Sequence, residues 1–243
     1  MNPERNMPDE TGRNIAGVRV AIVRDNEDPE SLGRVKLEYP WRDADDQSYW
    51  ARIATNMTGS GYGTYFLPEV DDEVLVGFEN GDIHSPIVLG SLWSGNRAPP
   101  EDNADGQNDV RKIETRNGHS VEFDDNDSRG HVSIETNAGH LIDLDDTSGS
   151  ESLTITDKSG NTIDMNSTAG TISITANTSI SLTAPTIELS ADSEVIIDGK
   201  KKVDVSSDTE TKVSGTKLTV DGVTVKFNAD GIMQLQGSMI QLN

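Results

Sequence analysis

With no cysteine in its 243 residues, the sequence offers histidines and carboxylates as its candidates for acid–base or metal chemistry. The histidines are His84, His119, His131 and His140. His84 follows Asp82 in the turn GDIHSP, and nothing near it supplies the nucleophile, base and oxyanion donor that a catalytic constellation needs. Acidic pairs stand at Asp124-Asp125 and Asp145-Asp146. Paired carboxylates suggest acid–base work or calcium, but these lack both the EF-hand spacing and the glycine-rich repeat of calcium-binding β-rolls. They fit strand ends running into solvated turns. The chain therefore reads as non-enzymatic, with no cofactor and no metal site assigned.

His119 and His140 are the exception, because they occupy equivalent places in two near-copies. RNGHSVEFDD at 116–125 returns as NAGHLIDLDD at 137–146, and again as KSGNTIDMNS at 158–167. Alternate residues of a strand share a face. His119 thus lies with Val121 and Phe123, His140 with Ile142 and Leu144, and Asn161 with Ile163 and Met165, while Glu122, Asp124, Asp143 and Asp145 point the other way. In a trimer each histidine would form an axial ring of three imidazoles able to hold a metal ion or an anion. The plainer arrangement places them at strand starts, hydrogen-bonded to backbone or water.

These residues belong to a repeat region. A 21-residue period is compatible with one turn of a single-chain β-helix. After residue 170 the unit shortens: ISIT at 172, ISLT at 180, IELS at 187, VIID at 195 and VDVS at 203. Each unit carries two aliphatics on one face and Ser, Thr, Asp or Lys on the other. Two inward aliphatics cannot bury themselves, so stacked neighbours must complete the core. Eight residues are too few to go round a three-sided prism alone. They fit one face of it, with two other chains supplying the strands between, which makes an intertwined homotrimer. The run Lys200-Lys201-Lys202 reads as an exterior turn that three copies would turn into a basic belt.

Ahead of the repeats, residues 17–96 hold most of the aromatics in short alternating strands: GVRVAIVRD, GRVKLEY, WARIAT, GTYFL, DEVLVGF and SPIVLGSL. VGFENGDIHSPIVLG reads as a hairpin with an Asn-Gly turn at 80–81. The spacing predicts a small antiparallel barrel or sandwich. The stretch 97–110, rich in Pro, Asp, Asn and Gly, is a linker. The predicted domains are a flexible segment 1–16, a barrel 17–96, the linker, and a needle of repeats 111–243.

Composition agrees: 33% hydrophobic and 5% aromatic residues cannot fill a thick core, but suffice for a narrow, repetitive one. The net charge of −22 argues against nucleic acid as a partner, since phosphate binding needs a basic face. No apolar run reaches the roughly 18 residues of a membrane span, and the polar start MNPERNMPDETGRN does not resemble a secretory signal.

GRVKLEYPW, YWARIAT, FLPEVDDEVLVGFENGD and PIVLGSLW, in this order, resemble the barrel domain of contractile-tail spike proteins, the phage baseplate assembly protein V and VgrG families. The GH-x-x-x-x-DD repeats and the octads resemble the needle that follows in those proteins. The resemblance implies an all-β chain: an N-terminal OB-fold barrel followed by an intertwined trimeric β-helix. It implies a central spike that caps a tail tube and punctures the target envelope or membrane when the sheath contracts. The expected location is a phage tail or injection particle assembled in the cytoplasm. Only a short polar segment precedes the barrel, so a separate hub or baseplate protein is expected there. The end GSMIQLN has no histidine for a metal-capped tip. Met239, Ile240, Gln241, Leu242 and Asn243 are instead expected to bind a small PAAR-like tip protein. A trimeric adhesin or tail fibre, or a β-helical polysaccharide-degrading enzyme, are the other readings. The first leaves the barrel motifs unexplained, and the second lacks aromatic sugar platforms on the repeats.

Overall fold

The computed structural model describes residues 15–42 and 47–241. Residues 1–14 of the N-terminal segment, and Leu242 and Asn243 of the C-terminal patch, lie outside the described residues. No described residue is in an α-helix, and among the described residues no helix is long and apolar enough to cross a membrane.

The first part contains β1 (Val18–Asp25), β2 (Lys36–Glu38), β3 (Arg52–Ile53), β4 (Thr58–Gly59), β5 (Tyr62–Gly63), β6 (Glu73–Phe78) and β7 (Pro86–Leu92). Five of these form one sheet in the order β2-β1-β6-β7-β3. All neighbours are antiparallel except β3 and β7, which run parallel through Arg52↔Ile87 and Ile53↔Val88. A Val35↔Ala51 bridge joins the two ends of that order. The sheet therefore closes into a five-stranded barrel of OB topology. Period-two alternation directs Ala21 and Val23 of β1, Leu37 of β2, Val74 and Val76 of β6 and Val88 of β7 into a core where each is fully buried. Tyr39 plugs one side, its ring 5.2 Å from Trp41 and 5.8 Å from Phe78.

β6 and β7 form the expected hairpin, and Asn80 and Gly81 take positive φ of 54° and 78° within its connection. Two predicted strands are shorter than read. WARIAT is strand only at Arg52–Ile53, with a single bridge at Ala51, and in GTYFL only Gly63 is in a strand. Gly63 instead closes a tight hairpin of its own with β4. There the Tyr62 ring lies over Gly59, at a spot where a Cβ would come within 2.1 Å.

The repeats begin with a seven-stranded sheet: β8 (Val110–Glu114), β9 (Ser120–Asp124), β10 (His131–Glu135), β11 (Leu141–Asp145), β12 (Ser152–Thr156), β13 (Thr162–Asn166) and β14 (Thr171–Thr175). Each strand pairs antiparallel with its neighbours in sequence. The 21-residue period is thus two strands and two reversals of an up-and-down meander, not one turn of a single-chain coil. The turns explain why. His119 N–H donates to Thr115 Oγ1 at 3.1 Å, Thr115 N–H donates to the His119 carbonyl at 2.8 Å, and Gly118 has φ 78°. Thr136, Gly139 and His140 repeat this arrangement, and Asp157, Gly160 and Asn161 vary it. A glycine beyond +60° sends the chain back along itself. At the opposite edge Asp124 and Asp145 accept from the backbone N–H groups of Asn126 and Thr147, at 2.9 and 2.7 Å.

Residues 181–243 form a second compact unit. No strand pairing is assigned among the described residues after β14, and all of them from Asn177 onward are exposed within the single chain.

Candidate functional site

Cross-strand register builds the candidate site, an assembly surface. Ile134 stands opposite Val121 and Ile142, and Val132 opposite Phe123 and Leu144. Ile155 and Leu153 continue the two columns to Ile163 and Met165, and these to Ile174 and Ile172. Directly opposed residues of an antiparallel pair share a face. One side of the meander is therefore an unbroken apolar strip two residues wide, bounded by Ile113 on β8. In the single chain it faces solvent: Ile172 is 70% exposed, and Phe123, Ile134, Ile142 and Leu144 are also exposed. The octads extend the same character, with Leu182, Leu189 and Val205 each about two-thirds exposed or more.

The other face is polar and half-buried, the reverse of what a free-standing sheet would choose. Here charges pair both along and across strands. Lys112 Nζ lies 2.9 Å from Glu114 and 3.3 Å from Glu122, and its pKa is raised, first by the hydrogen bond to Glu114. His131 sits on the same face, 3.6 Å from Glu122 Oε1 and 3.8 Å from Asp124 Oδ2. Thr154 Oγ1 donates to Asp164 Oδ2 at 3.1 Å. Hydrogen bonding holds Asp145 below its ordinary range, through Thr147, and Asp157 likewise, through Asn161. The sequence displayed these charges, but pairing requires the strand register, which only the turns define.

His119 and His140 head β9 and β11 at one edge of the meander, exposed. His119 Nδ1 accepts a long 3.4 Å contact from the Asn137 N–H of the next turn. Asn161, their counterpart, accepts from Asn177 N–H at 2.9 Å. Asp124 and Asp145 serve as turn acceptors, and Asp125 pairs with Arg111. His84 is exposed and edge-on to Tyr49, 5.2 Å between ring centres, and its backbone N–H donates to Asp82 Oδ1. Among the described residues no group of three or more His, Asp or Glu is placed to hold a metal ion. Lys200, Lys201 and Lys202 are exposed, and Lys202 pairs with Asp204. Met239 and Ile240 are exposed too.

Two family models match the chain. Residues 19–93 match the type VI secretion system/phage-baseplate injector OB domain, and residues 131–193 the phage baseplate V C-terminal trimerisation domain. The trimerisation match thus starts on β10, crosses the apolar strip and enters the octads. Among curated relatives, the type VI secretion system spike protein VgrG5 of Pseudomonas aeruginosa is 46% identical over 77 residues, 30% of this chain and 10% of that protein. VgrG3 of Vibrio cholerae, also a type VI spike protein, is 36% identical over 75 residues, 29% of this chain and 7% of its own length. The actin cross-linking toxin VgrG1 of Vibrio cholerae is 36% identical over 72 residues, 28% of this chain and 7% of that protein. The alignments span a tenth or less of these relatives. With a type VI/phage-baseplate injector OB domain and a phage baseplate V trimerisation domain in this order, the chain is similar to contractile-tail spike proteins of the phage baseplate V and VgrG kind.

Proposed function

We propose that three copies of this chain form the structural central spike of a contractile injection system or phage-like tail. The observation that carries this reading is the exposed apolar strip of the meander, beside a following segment, residues 177–241, that has apolar alternation but no assigned strand partner among the described residues. Backbone N–H and C=O groups of extended segments must be paired when the segments pack. Two further copies supply both the missing strands and the missing cover for the strip, giving an intertwined needle. The barrel is the end expected to meet a hub or baseplate protein. Exposed Met239 and Ile240 favour a small PAAR-like protein on residues 239–243. The role is mechanical and non-enzymatic: the assembly caps the tube and is driven through the target envelope on contraction. Its place is then a tail or injection particle put together in the cytoplasm. Light scattering on the purified chain tests the central claim. A mass of three times 26.2 kDa is expected, and a monomer at micromolar concentration overturns it.

A further inference from the structure

The GH-x-x-x-x-DD repeats place one histidine and one carboxylate at opposite ends of a single strand. The ladder runs one residue beyond β9 and β11 at each end. Thr115 N–H donates to the His119 carbonyl and Asp125 N–H to the Asp109 carbonyl, at 2.8 and 2.9 Å. Thr136 N–H donates to the His140 carbonyl and Asp146 N–H to the Gly130 carbonyl, both at 2.9 Å. Strand alternation therefore carries through these positions. His119 and Asp125 share the face of Val121 and Phe123, and His140 and Asp146 that of Ile142 and Leu144. The histidines border the apolar strip at one edge of the meander, and the carboxylates border it at the other. The third repeat changes both ends at once, with Asn161 before β13 and Ser167 after it in the equivalent places.

Within one chain the two ends cannot meet, since six residues of strand hold them about 20 Å apart. Nor are they fully engaged by their own chain. The His140 ring and the Asp146 carboxylate make no hydrogen bond or ion pair among the described residues, and both are exposed. His119 accepts its long contact from Asn137 at Nδ1, which leaves Nε2 as the ring's donor. Asp125 pairs with Arg111, but both side chains remain more than half exposed.

We infer that His140 of one copy meets Asp146 of the next, and His119 likewise meets Asp125, so that two rings of imidazole–carboxylate pairs close the trimer at its corners. The inference deepens the trimer reading and rests on it. Copies related by a closed rotation have no shift along the axis, so the same strand of each copy lies at one height. The head of β11 in one copy then faces the tail of β11 in its neighbour, a head-to-tail contact that closes into a ring. The contact borders the apolar strip that the copies bury, and it sets an N–H donor against a group that only accepts. At β12 the two ends, Glu151 and Asp157, are both acids. There Thr168 and Asn161 of the same chain already donate to them, so neither needs a partner copy.

The absence of cysteine gives a cross-linking test a clean background. Full-length His140→Cys/Asp146→Cys, treated with a bismaleimide much shorter than a strand, should run on a denaturing gel as a covalent trimer of 26.2 kDa chains. Neither single variant should link. His119→Cys/Asp125→Cys repeats the measurement at β9, should the first pair fail to assemble. Asp146→Lys should melt about 3 °C or more below the parent. The exchanged pair, His140→Asp with Asp146→His, should recover about half or more of the loss seen in its single variants. Light scattering on the parent separates two kinds of failure. A monomeric parent refutes the trimer reading and this pairing with it. A trimeric parent whose double variants do not link, or whose exchanged pair melts no higher than its single variants, refutes the pairing alone. Linkage in His140→Cys by itself would gather the histidines around the axis and overturns the pairing too.

Discussion

Asp28 organises the turn between β1 and β2 through one side chain that is only 3% exposed. The Arg34 guanidinium, with help from three backbone N–H groups, holds its carboxyl well below the usual aspartate range. A depressed folded-state value means the stabilisation is complete above the unfolded aspartate value of about 4 and fades as pH falls below it. Asp28→Asn should therefore melt at lower temperature than the parent at pH 7, and thermal scans should show that gap narrowing steadily below about pH 4. The stretch DNEDPESLG at 25–33 has the composition of a turn, but its sequence does not say which of its acids holds that turn together. That depends on which carboxylate the chain encloses beside Arg34, six residues on. The same limit applied to His119 and His140. Their matching positions were legible, but their actual neighbours come from the stacking of successive turns at one edge.

The apolar columns show the opposite balance between sequence and structure. Strand period and repeat register together placed Val121, Ile142 and Ile163 on one face, and the ladder pairs them with Ile134 and Ile155 between. What escaped the reading was the path of the chain, since a 21-residue period serves a coil and a meander equally well. The choice rests on Gly118, Gly139 and Gly160, whose φ values of 78°, 84° and 81° reverse direction. Gly139→Ala should cost about 1–2 kcal/mol per chain, from forcing a Cβ into the left-handed region, and chemical denaturation of the assembled protein should show it. Ile142→Asp and Asp143→Asn, adjacent in sequence, should part company. The first buries three unpaired carboxylates in the trimer, at about 3 kcal/mol or more each, and should leave monomers on a sizing column. The second should remain trimeric with nearly the parent's melting temperature.

For the molecule as a whole, the barrel carries its own closed core, while the repeats expose theirs. A fragment of residues 1–105 should accordingly be monomeric by light scattering, and a fragment beginning at 111 should keep the trimer. Arg116 reaches back from the meander to Glu69 of the barrel at 3.1 Å, but both side chains are about half exposed or more. Such a pair contributes about 0–1 kcal/mol, so Arg116→Ala should leave the melting temperature unchanged within about 2 °C. The nearest-neighbour order of the meander also bears on how the protein comes into being. Every strand from β9 to β14 pairs with the one synthesised just before it, so this sheet has low contact order and can form on a single nascent chain. The segment beyond it has no such option and must wait for encounter with other chains. Refolding from denaturant should then split into a fast phase whose rate ignores protein concentration and a slower one that rises with it. The meander would act as the clasp that brings three sliders into register before the zip is drawn.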